Sequence, residues 1–151
     1  MPFDKKQVND SFKFDPATLD TLRKEWLSLL DLTVFGDVKS SKIGAADRLR
    51  RRLLEMGEGL RSLTNDRSWI PHPRDQIKGA MGACVKLRDT LLGLERAARF
   101  IDNGKDFPHF EHELLNFRQR LLQLLETHEA QWAHLLDEQY EETSEQDNDH
   151  E

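Results

Sequence analysis

The chain of 151 residues contains a single cysteine, Cys84, and no long hydrophobic segment. One cysteine excludes an intramolecular disulfide, which favours a reducing compartment. The uninterrupted apolar runs span only a few residues, which is too few to cross a bilayer. The N-terminal residues lack the apolar core of a secretory signal peptide. We therefore expect a cytoplasmic protein that does not insert into a membrane.

Recognisable catalytic motifs are also absent. The sequence has no glycine-rich phosphate loop, no Gly-x-Ser-x-Gly motif and no paired cysteines. Cys84 falls on an apolar helical stripe with no histidine close to it in sequence, as expected for a small core residue. The sequence therefore predicts a protein that is not an enzyme and that uses no cofactor.

The histidines do not form a recognisable metal-binding motif. His109 and His112 are three residues apart and share a helical face with Glu113. The sequence contains neither the Glu-x-x-His pairs of di-iron bundles nor the His-Glu-x-x-His motif of zinc proteases. His128 falls within an apolar helical face, where we expect it to be partly buried and hydrogen-bonded. It is the candidate for a pH-sensitive group, and the roles of all three histidines stay open.

Four stretches repeat apolar residues at steps of three and four, the period of an amphipathic helix. The first begins with Asp15 as N-cap and Pro16 at the first helical position. The others cover about residues 43–63, 73–101 and 108–140. The residues on the second, third and fourth apolar stripes include Leu49, Leu53, Met56, Leu60, Ile77, Ala80, Leu87, Leu91, Leu94, Phe110, Leu114, Phe117, Leu121 and Trp132.

Four such helices with short connections predict an all-α fold, an antiparallel bundle with a long C-terminal helix and flexible termini. We expect residues 1–14 to be a flexible segment, residues 15–140 to be the bundle domain, and residues 141–151 to be an acidic disordered tail without apolar residues. In the connection before the third helix, Trp69 and Ile70 are expected to pack against the bundle.

Two glycines, Gly79 and Gly82, lie inside the third predicted helix. Glycine costs about 1 kcal/mol in a helix interior, so this pair predicts a position where another backbone comes close. One interpretation is a tight helix crossing within the monomer. The other is a contact between subunits or a bend in the helix.

Charge is distributed unevenly along the chain, whose net charge is −6. Residues 1–38 carry a net charge of −2, residues 39–105 carry +7, and residues 106–151 carry −11. A basic middle beside an acidic end is the most distinctive property of the sequence.

The basic middle provides the candidate contacts to a nucleic-acid backbone. They lie on the second and third predicted helices and are Arg48, Arg51, Arg52, Lys78, Lys86 and Arg96. Asp47 and Glu55 lie within one helical turn of most arginines in this run, so the run can instead be a solvated face that is neutralised locally. The acidic end of the same chain is another competitor for these cations.

Five apolar residues lie off the main stripes and are candidates for a partner interface: Leu54, Val85, Leu92, Leu115 and Leu122. An exposed apolar stripe is costly unless a partner covers it. The alternative is a thicker core in which all five are buried.

The leading hypothesis is a helical interaction module, or a small subunit, that binds another protein or itself. A second hypothesis is a small helical subunit that binds a nucleic-acid backbone within a larger complex. A third is an acidic inhibitor-type protein that occupies a basic partner, because the C-terminal part of the chain is strongly acidic.

Overall fold

A computed structural model describes residues 14–35, 43–65, 67, 69–101, 107 and 109–149. In these ranges the chain forms four helices, which are α1 (Pro16–Phe35), α2 (Ile43–Ser62), α3 (Pro73–Ala98) and α4 (Phe110–Asp149). The all-α class predicted from the sequence is confirmed.

The four helices pack around one apolar core. Among the described residues, α1 and α3 each pack against both α2 and α4, so every helix has two neighbours. Each helix turns an apolar stripe inward, and Leu53, Leu91 and Leu121 are buried there. Burial of one such side chain contributes about 1.5–3 kcal/mol, so the three-four repeat of leucines is what holds the bundle together.

The order of contacts along α1 and α2 is the one expected for antiparallel neighbours. The Trp26 Nε1–H group donates a hydrogen bond of 2.6 Å to the Leu53 carbonyl. One turn from the end of α1, the Thr33 carbonyl accepts a hydrogen bond of 2.6 Å from the Arg50 guanidinium. Residue numbers therefore rise along α1 as they fall along α2, and the ion pairs between α3 and α4 described below follow the same order.

Helix α1 begins as predicted. The Asp15 carboxylate accepts hydrogen bonds from the Thr18 backbone N–H (3.3 Å) and from the Thr18 hydroxyl (2.7 Å). Pro16 occupies the first helical position, where no backbone N–H is needed. The hydroxyl bond from Thr18 is the main reason that the pKa of the Asp15 carboxyl lies below its ordinary value.

We expect Asp15→Ala to destabilise the protein at neutral pH, because the first turn of α1 loses its side-chain acceptor. The pKa of Asp15 is lower in the folded chain than in the unfolded chain. Its contribution is therefore complete above the ordinary pKa and is lost as the pH falls through the lowered value. Thermal unfolding followed by circular dichroism should show the gap between wild type and variant narrowing towards about pH 2. Asp20→Ala, in the same helix, serves as the control, and a gap of constant size would contradict the prediction.

Phe14 belongs to the bundle and not to a flexible segment. Its ring is buried and lies 4.4 Å from the His128 ring and 5.6 Å from the Trp132 ring, centroid to centroid. The flexible segment was predicted to include residue 14, so its boundary is wrong by one residue. A single aromatic side chain before the N-cap carries no periodic signal. The rest of the predicted flexible segment, residues 1–13, lies outside the described residues.

Helix α4 continues to Asp149, beyond the end predicted near Tyr140. The structure thus gives residues 141–149 helical backbone where the composition predicted a disordered tail. Glutamate and glutamine have high intrinsic helix propensity, so an acidic segment can continue a helix without adding to the core. Residues 150 and 151 lie outside the described residues.

The connection between α2 and α3 does not use Trp69 as an anchor. The Trp69 side chain is 78% exposed, which contradicts the expectation that it packs against the bundle, while Ile70 is half-buried. The buried Gln76 side chain instead donates a hydrogen bond to the Ile70 carbonyl. The connection is therefore attached to α3 through its backbone, which a search for apolar residues does not detect.

The close approaches between helices occur in α2 and not at the glycine pair of α3. A Cβ atom at Gly57 would lie 2.3 Å from the Trp26 ring, and one at Gly59 would lie 2.4 Å from the Leu87 side chain. A Cβ atom at Gly82 would meet nothing within 4 Å, and one at Gly79 would make an ordinary contact with Arg67 at 3.6 Å. The predicted crossing within the monomer at Gly79 and Gly82 is therefore wrong.

Candidate interaction surfaces

Four of the five apolar residues predicted to contact a partner lie on α3 and α4, and three of these four are exposed. Val85, Leu92 and Leu115 are each about half exposed. Leu122 is partly buried and packs against the core, so the expectation of a thicker core holds only in part. We call these four residues the α3–α4 face.

Two ion pairs between the helices bring these residues to neighbouring levels. The Arg88 guanidinium donates to Glu129 at 2.7 Å, and the Arg118 Nε–H group donates to Glu95 at 3.0 Å. This register places Leu92 opposite Leu122 along the helix axes. Val85 is seven residues before Leu92 and Leu115 is seven before Leu122, so each lies two turns away on the same side of its helix. The α3–α4 face is thus one apolar stripe that runs along both helices.

Two ion pairs between α3 and α4 lie beside the α3–α4 face. The hydrogen bond to Glu129 is the main reason that the pKa of Arg88 lies above its ordinary value. In each pair the carboxylate is less exposed than the guanidinium. Glu129 is less exposed than Arg88, and Glu95 is less exposed than Arg118. Each of these two pairs therefore joins α3 to α4 beside the face through a carboxylate that is partly shielded from water.

Leu54, the fifth predicted residue, lies elsewhere. Its side chain is 56% exposed and lines a groove of about 630 Å³ between α1 and α2. The indole of Trp26 forms part of this groove and lies against the backbone of α2 at Gly57. The other lining residues are Pro16, Leu19, Asp20, Arg23, Glu58, Leu60, Arg61 and Thr64. The groove separates Leu54 from the α3–α4 face, so the five predicted residues do not form one interface.

The predicted basic residues likewise fall into two groups. Arg48, Arg51, Arg52 and Arg96 lie near the start of α2 and the end of α3, which are adjacent because Arg48 lies 5.8 Å from the ring centroid of Phe100. We call these four arginines the basic end. Lys78 and Lys86 are exposed but lie closer to the start of α3. Lys78 is about 27 Å along the helix from Arg96 at 1.5 Å per residue.

Local neutralisation of the arginine run is only partial. Arg50 pairs with Asp47 at 3.2 Å, and Arg52 pairs with Glu55 at 3.1 Å. Arg51 was expected to have a carboxylate within reach, yet it is exposed and forms no ion pair within the described part of the chain. Arg48 lies beside an aromatic ring instead of a carboxylate. Cations therefore stay available at the basic end.

The acidic end of the chain does not reach the basic end. The ion pair between Glu95 and Arg118 shows that the end of α3 lies beside the first turns of α4. The acidic residues 138–149 lie about 30 Å or more farther along α4. Lys78, in contrast, is at about the level of residue 139 in this register. The acidic residues at the end of α4 therefore lie far from the four arginines, whereas Lys78 lies at the other end of α3.

Two exposed apolar residues, Phe100 and Leu27, are not among the residues predicted from the sequence. Phe100, which is 63% exposed, follows the last turn of α3 and lies against Arg48. Its one signal in the sequence is that it lies off the three-four repeat, which passes directly from Ala98 to Ile101. Leu27 on α1 is also exposed. Its position outside the apolar stripe of that helix is a signal of the same kind that identified Leu54.

No group of three or more potential metal ligands occurs among the residues described. His109 and His112 are exposed, and His128 is half-buried between Phe14 and Trp132. Burial raises the pKa of the Cys84 thiol to about 12. A buried thiol of this kind stays protonated near neutral pH.

Comparison with known proteins finds no matching family model, no matching curated protein and no matching solved structure. Within the described ranges, no helix combines the length and the apolar character needed to cross a membrane.

Proposed function

We propose that this protein is a non-enzymatic interaction module whose α3–α4 face binds a second copy of the chain. The observation that carries the proposal is the alignment of Val85, Leu92, Leu115 and Leu122 into one stripe, beside two ion pairs that join α3 to α4. An apolar stripe of this kind gains free energy when another surface excludes water from it. Two identical helix pairs can pack through such stripes about a two-fold axis.

A nucleic-acid backbone is the second candidate partner, and the exposed arginines of the basic end support it. The separation of Lys78 and Lys86 from those arginines weakens it, because the six cations do not form one patch. The third candidate, an acidic inhibitor that occupies a basic partner, is supported by the acidic residues 138–149 at the end of α4. Neither alternative uses the α3–α4 face.

The double variant Leu92→Ser and Leu115→Ser tests the proposed dimer. Each leucine is about half exposed, so covering it contributes on the order of 1 kcal/mol. Removing both from each copy should weaken self-association at least tenfold. Sedimentation equilibrium over a range of concentrations, at a salt concentration high enough to screen ionic contacts, measures the change.

Leu54→Ser is the matched control, because Leu54 is equally exposed but lies in the α1–α2 groove. It should leave the dissociation constant unchanged. A wild-type protein that stays monomeric at high concentration would contradict the proposal. Equal weakening by Leu54→Ser and by the double variant would contradict it as well.

A further inference from the structure

Two contacts bring the start of α2 and the end of α3 side by side. The Arg48 guanidinium lies over the Phe100 ring, 5.8 Å from its centroid. The Arg52 side chain lies against α3 at Gly93, where a Cβ atom would be 3.6 Å from the Arg52 Nε atom. Arg48 lies one turn before Arg52, on the same side of α2. Gly93 lies two turns before Phe100, on the same side of α3. The two contacts therefore define one surface that both helices share.

This surface carries several arginines that no carboxylate holds. Arg51 follows Arg48 by three residues on α2, and Arg96 lies one turn before Phe100 on α3. All three arginines are exposed. Within the part of the chain that the structure describes, none of them forms an ion pair. Three guanidinium groups are thus available around one aromatic ring.

The carboxylates of α2 and α3 neutralise this surface only in part. Glu55 pairs with Arg52 at 3.1 Å, and Glu95 is paired with α4 at 3.0 Å. Asp89, which is exposed, lies one turn before Gly93 and limits the positive surface along α3. Among the described residues, the acidic helix α4 packs against α1 and α3 and not against α2. The surface therefore keeps an excess of positive charge that attracts anions.

The aromatic ring among the arginines suits one class of anion. Phe100 is 63% exposed although Arg48 lies over it, so ring surface is left for another planar group. Single-stranded nucleic acid offers bases that stack on such rings and phosphates that accept hydrogen bonds from guanidinium groups. In a duplex the faces of the bases already stack on one another. An acidic peptide would use the arginines without needing the ring.

We propose that the basic end binds single-stranded nucleic acid, with one base stacked on Phe100 and the neighbouring phosphates bound by the arginines around it. The site makes the second candidate partner a single strand, and it does not require Lys78 or Lys86. It is independent of the α3–α4 face, because it includes none of the four residues of that face. The ionic part of the binding weakens as salt is added, whereas the stacking part does not depend on phosphate contacts.

Fluorescence anisotropy tests this site in the full-length protein, with a labelled oligothymidylate of about twelve nucleotides as the probe. Phe100→Leu should weaken binding by about fivefold or more, because one base loses its stacking surface. Replacing Arg48, Arg51 and Arg96 with Gln should weaken it by about tenfold or more at low salt. This triple variant should also reduce the slope of log affinity against log salt by about 2, at about 0.7 per phosphate contact. Phe100→Leu should leave that slope unchanged, which separates stacking from charge.

Two control variants remove matching side chains from other surfaces. Trp69→Leu removes an exposed aromatic ring from the α2–α3 connection. Replacing Arg23, Lys24 and Arg61 with Gln removes the same charge from exposed positions on α1 and α2. Both controls should bind the probe like wild type, and circular dichroism verifies that every variant is folded.

The variant with Leu92→Ser and Leu115→Ser should still bind the probe, so this site and the proposed dimer can fail separately. The proposal would be overturned by a lack of binding at low salt, by equal binding of Phe100→Leu and wild type, or by a loss of binding in either control. A duplex of the same length that binds as tightly as the single strand would assign the arginines to a duplex backbone instead. Polyglutamate that displaces the probe at equal charge concentration would assign them to an acidic protein. An oligouridylate of the same length distinguishes RNA from DNA as the source of the strand.

Discussion

Trp132→Ala should lower the free energy of unfolding by about 3–5 kcal/mol, the range for truncation of a large buried aromatic residue. The Trp132 side chain is fully buried. Its ring meets the Phe14 ring edge-on at 5.6 Å and lies 5.8 Å from the His128 ring. Truncation leaves a cavity between α1 and α4 and removes the surface on which Phe14 is packed. Urea denaturation followed by circular dichroism measures the loss.

Trp69→Ala is the control for this variant, since it removes the same side chain from an exposed position in the α2–α3 connection. We expect a change within about 0.5 kcal/mol. If the two tryptophan variants were destabilised equally, the packing described for Phe14, His128 and Trp132 would be wrong.

Gly57→Ala should destabilise the protein by about 1–3 kcal/mol, although alanine is the better helix former. A Cβ atom at this position would lie 2.3 Å from the Trp26 ring. The ring cannot move away freely, because its Nε1–H group donates a hydrogen bond to the Leu53 carbonyl. The added methyl group must therefore push α1 and α2 apart or break that bond. Tryptophan fluorescence and urea denaturation together detect both outcomes.

The same substitution at the other glycine, Gly82→Ala, should have the opposite effect on stability. A Cβ atom at Gly82 would meet nothing within 4 Å, so the gain in helix propensity is not offset. We expect stabilisation by about 0.5–1 kcal/mol. Stabilisation by both substitutions would show that Trp26 does not lie against Gly57.

The helices themselves were predictable from the sequence. Leucine recurs at steps of three and four on each of them, and Asp15 with Pro16 marks the start of α1 at the observed residue. These signals are local, because an amphipathic helix and its cap involve residues within one or two turns of each other. The start of α3 at Pro73 was predictable for the same reason.

Predictions that depended on what another helix brings into contact were less reliable. Phe14 is buried and Trp69 is exposed, the reverse of what their sequence context indicated. The glycines needed for close packing are Gly57 and Gly59, and not the pair in α3 that the sequence singled out. Each outcome depends on contact with a residue far away in the sequence, and such contacts leave no periodic pattern along the chain.

The candidate surfaces show the same division. Composition and spacing alone identified the apolar residues outside the stripes and the basic middle of the chain. Only the packing of α3 against α4 joined Val85, Leu92, Leu115 and Leu122 into one face and set Leu54 apart in another groove. Likewise, only the register of α4 placed the acidic residues beyond reach of Arg48 and Arg96.

The sequence by itself determined the four helices, their apolar sides and the sign of charge on each part of the chain. These properties follow from side-chain chemistry and from the 3.6-residue period of the helix. The tertiary structure decided which exposed residues are neighbours and which charges can meet. Those relations depend on the order and register in which the helices pack, and side chains from different helices set both.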